Sequence, residues 1–193
     1  MHHLPPIAAF TAQELQNILK MLDHNINTPL TSSMGRLFDA VSTLIGIQHI
    51  HGYEGHAAAK LEYSGWKEYG IDEKYPFEYT PEDQKTGIPV IINWEPLIKA
   101  VVSDVIEHRP VPEIASIFHN TLVEMILLIS EKLGIEKIAL SGGCFQNRLL
   151  SEKTITALEN RQFKVYRHQK LPPNDGGISA GQILGAHYLK KLF

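Results

Sequence analysis

The sequence predicts an α/β fold: a mostly helical part over residues 1–135, then a strand–Gly-Gly–helix part over residues 136–193. Three observations carry that prediction. Apolar residues recur at helical spacing through most of the first part. Two short strand-like runs, Lys137–Leu140 and Phe163–Tyr166, are each followed by a Gly-Gly loop and a helical pattern. Such alternation predicts a parallel sheet with right-handed crossovers and ligands at the carboxyl ends of its strands, where both loops fall.

Bulk properties bound the rest. The 193 residues make one domain or two small ones, and 44% hydrophobic residues suffice for a core. With 18 basic and 21 acidic residues the net charge of −3 exerts no global pull on nucleic acid. The single Cys144 excludes an internal disulfide and suits a reducing cytoplasm. No apolar run approaches the roughly 20 residues of a membrane span. Met1-His-His-Leu-Pro-Pro6 lacks the basic and apolar regions of a signal peptide. A cytoplasmic protein without a membrane segment is expected.

The helices follow in order. Thr11 and Glu14 have capping-box spacing before a helix from Ala12 to Asp23. Its stripe of Leu15, Ile18, Leu19 and Leu22 belongs to the core or to a face for a missing partner. Pro29 lies in a loop, and Ser32 or Ser33 caps a second helix, Met34–Ile45, with Leu37, Phe38, Val41, Leu44 and Ile45 inward. Asp39 falls on its polar face beside Arg36, which reads as a solvated ion pair. Gly46 ends this helix, and His49 and His51 read as loop histidines, since two imidazoles alone make no tight metal site. Gly55 opens a third helix, His56–Trp66, with Glu54 and His56 as first-turn polar residues.

Residues 67–87 read as an inserted loop with an edge strand around Pro76–Thr80, and residues 89–93 form another short strand. Asn93 is expected to cap a helix from Trp94 to His108, and a long helix follows from Pro112 to Leu133, stopped by Gly134. On that helix His119 and Glu124 are expected at the surface. The last two helices are Arg148–Glu159 and Ile178–Leu192.

The chemistry concentrates in the two loops, Ser141-Gly-Gly-Cys-Phe-Gln-Asn147 and Pro172-Pro-Asn-Asp-Gly-Gly-Ile178. Glycine permits φ > 0 and leaves no Cβ, so backbone can approach a ligand closely. A helix N-terminus behind it favours an anion. The bland reading is a plain turn at each loop, with Asp175 as a helix cap rather than a metal ligand. Cys144 reads as a small packed side chain, not a nucleophile.

These two motifs, with Thr28-Pro-Leu-Thr-Ser-Ser-Met-Gly-Arg-Leu-Phe-Asp-Ala40 and Tyr53-Glu-Gly-His-Ala-Ala-Ala59, resemble in order the C-terminal part of the HypF carbamoyltransferase family of [NiFe]-hydrogenase maturation. That family's transferase domain is similar to the TsaD tRNA threonylcarbamoyl-transferases, of the actin/hexokinase (ASKHA) type. The resemblance implies ribonuclease-H-like lobes with several added helices around a nucleotide. It implies that Asp39 binds the ribose, that backbone at Gly55, Gly142 and Gly143 approaches the nucleotide, and that Asn147 hydrogen-bonds it. Asp175 is implied to bind a divalent metal (Mg, Fe or Zn). The reaction implied uses ATP and carbamoyl phosphate, by way of carbamoyl-adenylate, to carbamoylate the C-terminal cysteine of a HypE-type acceptor for cyanide-ligand synthesis.

The family's metal site also takes two histidines from a His-x-x-x-His helix in a preceding lobe, and no pair among the ten histidines has that spacing. His2 and His3 do not substitute. The chain therefore looks like the second half of the transferase domain, is expected to be incomplete as an enzyme alone, and has a half-domain face that a second copy would cover as a homodimer. Two other classes stay open: a stand-alone nucleotide-binding or regulatory module, and a tRNA threonylcarbamoyl-transferase-like protein, against which the lack of a basic cluster speaks.

Overall fold

Helix α6, Val111–Leu133, is the longest element and is buried on nearly every side from Ile114 to Leu127. Length and composition would let it cross a membrane, but 72% of its apolar stretch is buried within the protein, as in a core helix. The computed structural model describes residues 4–50, 52–81 and 89–189. The expectations for His2, His3, His51, the end of the inserted loop and the last turn of the final helix lie outside those residues. The chain forms two compact units, residues 1–121 and 122–193, which divide inside α6. The change from helical to strand–Gly-Gly–helix sequence comes later, after residue 135.

The first unit holds α1 (Pro5–Ala8), α2 (Ala12–Asp23), α3 (Met34–Leu44), α4 (His56–Trp66), the antiparallel pair β1 (Glu78–Thr80) and β2 (Ile91–Asn93), α5 (Glu95–Ile106) and the start of α6. Helix α3 packs on α4, α5 and α1. Its Leu37, Phe38 and Val41, Ala57 and Leu61 of α4, and Leu97 and Val101 of α5 are buried. The Phe38 ring meets Phe118 of α6 edge-on with centroids 5.1 Å apart. Such a contact contributes about 0.5–1.5 kcal/mol beyond the area it buries.

Polar side chains on α6 hold the 67–77 segment. Ser116 Oγ donates to Glu68 O (2.8 Å), and Asn120 Nδ2 donates to Ile71 O (2.7 Å) and Glu73 O (3.0 Å). Thr121 Oγ1 accepts from Tyr75 N–H at 2.8 Å. Arg109 ties the far end through Glu73 (2.9 Å), Glu113 (3.0 Å) and Asp104 (3.5 Å), and the Tyr75 hydroxyl donates to Asp104 at 2.5 Å. Burial first, then the Asp104 carboxylate, push the Tyr75 phenol far above its ordinary range.

Several local expectations hold and several are corrected. The Thr11–Glu14 capping box forms, with Thr11 N–H donating to Glu14 at 2.8 Å. The apolar stripe of α2 is not core, for no residue of that helix is buried and Leu19 and Leu22 are exposed. His119 is completely buried rather than at the surface. It lies among aromatic rings with Nδ1 2.7 Å from Ala115 O. A carbonyl only accepts, so that nitrogen carries the proton and the helix itself satisfies the ring. Ser33 occupies the cap position of α3 without a capping bond, and its N–H donates instead to Thr31 Oγ1 at 3.1 Å. Helix α5 starts one residue late because Asn93 Oδ1 accepts from Glu95 N–H (3.0 Å), making a local turn around Trp94. It ends at Ile106, and His108 turns the chain at φ +59°.

The second unit contains the end of α6, β3 (Lys137–Leu140), α7 (Arg148–Asn160), β4 (Lys164–Arg167) and α8 (Ile178–Leu189). The strands pair in parallel, Lys137 opposite Lys164 and Leu140 opposite Arg167. Strand β4 lies one residue later than its sequence pattern suggested, since Gln162 turns at φ +66° and Phe163 N–H still bonds Leu158 O at 3.1 Å. Helix α7 buries Leu149, Leu150, Thr154 and Leu158, whereas Ile178, Ile183, Leu184, Tyr188 and Leu189 of α8 are exposed.

Two substitutions test this packing. Phe38→Ala should lower the unfolding free energy by about 3–5 kcal/mol in urea denaturation, and a loss below ~1 kcal/mol would refute the packing described. The Thr154 hydroxyl is buried without a hydrogen-bond partner. Thr154→Val should therefore stabilise the chain by about 1 kcal/mol in the same assay, and a loss of stability would show that the hydroxyl is satisfied after all.

Candidate functional site

In the second unit the two Gly-Gly loops are joined by a backbone hydrogen bond. Gly142 N–H donates to Pro173 O at 2.9 Å. Both loops leave the carboxyl ends of adjacent parallel strands, so this bond sets them side by side where such sheets hold ligands. Gly142 sits at φ +101°, a conformation a side chain would strain, and nothing lies within 4 Å of the position a Cβ would take. Its Cα face is therefore the open side of the loop. Gly143 begins a short 3₁₀ turn to Gln146.

Asn147 then caps α7, its Oδ1 accepting from Leu150 N–H at 2.8 Å, and its side chain is buried. Asn174, not Asp175, does the same work in the second loop, accepting from Gly176 N–H at 3.1 Å. With the cap supplied by its neighbour, Asp175 is left exposed at the head of the turn that leads into α8. A Cβ on Gly177 would meet Pro172 O at 2.9 Å, so only glycine fits that closed turn. Among the described residues no group of three or more His, Cys, Asp or Glu is placed to hold a metal. Asp175 is thus a single carboxylate, short of a complete coordination set.

Two further residues meet at this mouth. Ser141 Oγ lies 2.9 Å from His168 Nε2. Sequence reasoning passed over His168, because the residue after a strand is placed by register alone, and the register was not known. Cys144 is half-buried, and burial pushes its thiol up, opposite to an activated nucleophile.

The first unit holds the other two sequence candidates. Asp39 pairs with Arg36 at 3.1 Å and its side chain is 16% exposed. Gly55 starts α4 at φ +79°, exposed and with nothing near a would-be Cβ. The two lie on helices that pack together. His56 is more than a surface residue: its ring stacks on Tyr53 at 4.5 Å, and Nδ1 accepts from Gly52 N–H at 3.3 Å, shaping the turn that carries Gly55. A cleft of about 270 Å³ also opens here, between the Thr31–Ser33 segment, the start of α3, and Trp94 and Ile98.

The family model described as carbamoyltransferase, Kae1-like domain, second subdomain, matches residues 1–182. The chain belongs to the HypF carbamoyltransferase family. The carbamoyltransferase HypF of Synechocystis is 43% identical over 173 residues, 89% of this chain and 22% of that protein. The probable carbamoyltransferase HypF of Methanocaldococcus jannaschii is 30% identical, over 94% of this chain and 23% of its own length. The crystal structure of full-length HypF in the phosphate- and nucleotide-bound form superposes with a TM-score of 0.83 at 38% identity, covering 95% of this chain and 24% of that one. The HypF of T. kodakarensis gives 0.72 at 26% identity, covering 94% and 23%. The mixed α/β fold is therefore that of the corresponding part of HypF, and the chain spans about a quarter of these relatives.

A raised thiol pKa keeps Cys144 protonated to higher pH than a free cysteine. Iodoacetamide should accordingly label the folded chain more slowly at pH 7 than the urea-unfolded chain. The rise of rate with pH should be displaced upward in the folded form. Equal profiles would show that the thiol is not shielded.

Proposed function

We propose that this chain is the nucleotide-holding second subdomain of a HypF-type carbamoyltransferase, with a ribonuclease-H-like core of the actin/hexokinase type. The observation that carries the reading is the Gly142–Pro173 bond, which makes one mouth of two glycine loops at the ends of parallel strands. An adenine nucleotide entering there meets the open Cα face of Gly142, the turn at Gly143 and the capped start of α7 at Asn147. Backbone that approaches this closely favours phosphate over any bulkier anion. For Asp39, in the other unit, the family resemblance implies a ribose-acceptor role, and a carboxylate takes bonds from two hydroxyls at once. Gly55 offers a second close backbone approach.

In the reaction, water releases phosphate from carbamoyl phosphate, and the carbamate oxygen attacks the α-phosphorus of ATP to give carbamoyl-adenylate and pyrophosphate. The cysteine thiolate of a HypE-type acceptor attacks the carbamoyl carbon, the bond to the phosphate oxygen breaks, and AMP leaves with the electron pair. A divalent cation bound with Asp175 would stabilise the charge on that leaving phosphate. Its remaining ligands come from outside the described residues, in the family's case two histidines of a preceding lobe. This chain contributes the nucleotide loops and one carboxylate, so carbamoyl transfer requires that lobe. The lone thiol suits a reducing cytoplasm.

Calorimetry of the chain with ATP and Mg²⁺ tests the reading. Saturable binding is expected, weakened about tenfold by Asp175→Asn with stability unchanged, since that carboxylate is exposed. Asn147→Ala should weaken binding and also cost about 1 kcal/mol of stability through the lost cap. Asn147→Asp keeps the capping oxygen, so it should retain stability while a new charge repels the phosphates. No ATP binding by the chain, and none restored by adding the preceding lobe, would sink the reading. Binding of tRNA in preference to ATP would favour the threonylcarbamoyl branch.

A further inference from the structure

The contact between Ser141 and His168 follows from strand register. Leu140 pairs with Arg167, and the next residue on each strand is Ser141 and His168. Their side chains meet at 2.9 Å although both residues are exposed. An exposed serine has little reason to hold an imidazole, for water competes with the bond on both sides. Location distinguishes this pair. Ser141 directly precedes Gly142, whose Cα face is open, and Gly142 N–H is anchored to the second loop by Pro173 O. The pair therefore stands at the carboxyl edge of both strands, between the two loops.

We propose that Ser141 contacts a phosphoryl oxygen of the bound nucleotide, and that His168 positions and polarises its hydroxyl. The inference rests on the nucleotide reading of this mouth. With the imidazole proton on Nε2, the ring donates to Oγ and the Ser141 O–H turns outward to the anion. The chain of bonds then runs from Nε2–H to Oγ and from O–H to the phosphoryl oxygen, each bond strengthening the next. The bond to the anion is charge-assisted and short. No covalent bond forms or breaks at the pair. Its ligand is the phosphoryl group shared by nucleoside phosphates, so the contact senses phosphate and not adenosine. His168 is a positioning residue, acting only through Ser141.

The test uses the full 193-residue chain, ring-¹⁵N-histidine labelled for NMR, with AMP, adenosine and inorganic phosphate as probes and calorimetry alongside. AMP should move the His168 Nε2 resonance, inorganic phosphate should move it at higher concentration, and adenosine should leave it in place. Ser141→Ala should weaken AMP about tenfold, the low end for a hydrogen bond to a charged group, without changing adenosine affinity. His168→Leu should match it, and the double variant should be no worse than either. His168→Gln, whose amide keeps an N–H donor, should recover most of the loss, which a purely structural role would not produce. Circular dichroism confirms that each variant folds. Equal AMP affinity in the wild type and Ser141→Ala overturns this inference and leaves the nucleotide reading intact. A resonance moved by phosphate while AMP fails to bind supports the pair and overturns the nucleotide reading. A resonance moved by neither ligand overturns the pair.

Discussion

The 67–77 segment and the Phe38 side of the first unit answer to the burial of α6. From Ile114 to Leu127 this helix is buried on nearly every side, its polar residues included. Its polar side chains then have no water to bond, and an unpaired buried polar group costs about 1–3 kcal/mol. Ser116, Asn120 and Thr121 meet that demand by binding the backbone of the 67–77 segment. His119 turns back on its own helix. A stretch without regular structure is fixed in this way, and Arg109 with its three carboxylates closes it.

In the second unit the organising contact is smaller. One N–H of Gly142, given to Pro173, joins two separate turns into one edge. Each loop supplies its own helix start, with Asn147 and Asn174 as caps. Because asparagine does the capping in the second loop, the neighbouring Asp175 side chain is left exposed. The exposed apolar side chains of α8 and α2 fit a subdomain that spans about a quarter of its relatives.

Much of this was legible in advance. Capping chemistry is local, so Thr11 with Glu14 announced α2, and the boundaries of α2 and α4 follow from sequence alone. The glycine loops were legible for the same reason: their conformations are set within a few residues. His119 and the α2 stripe were not, because periodicity tells how a helix is divided between apolar and polar faces, but not what covers them. His119 looks like a surface residue until every side of α6 is known to be packed. The leucines of α2 look like core until their neighbours prove absent among the described residues.

By itself the sequence determined the α/β class, the helices, the two strand–Gly-Gly–helix units and the family to which they belong, since each depends on short-range spacing. Only the tertiary structure decided that Gly142 bonds Pro173, that Asn174 rather than Asp175 caps its turn, and that Ser141 meets His168. The first and last of those contacts join residues about 30 positions apart through strand register, whereas the Asn174 cap is a turn bond to Gly176, two residues on. Register depends on which faces are buried, a property of the whole folded chain and not of any stretch of it.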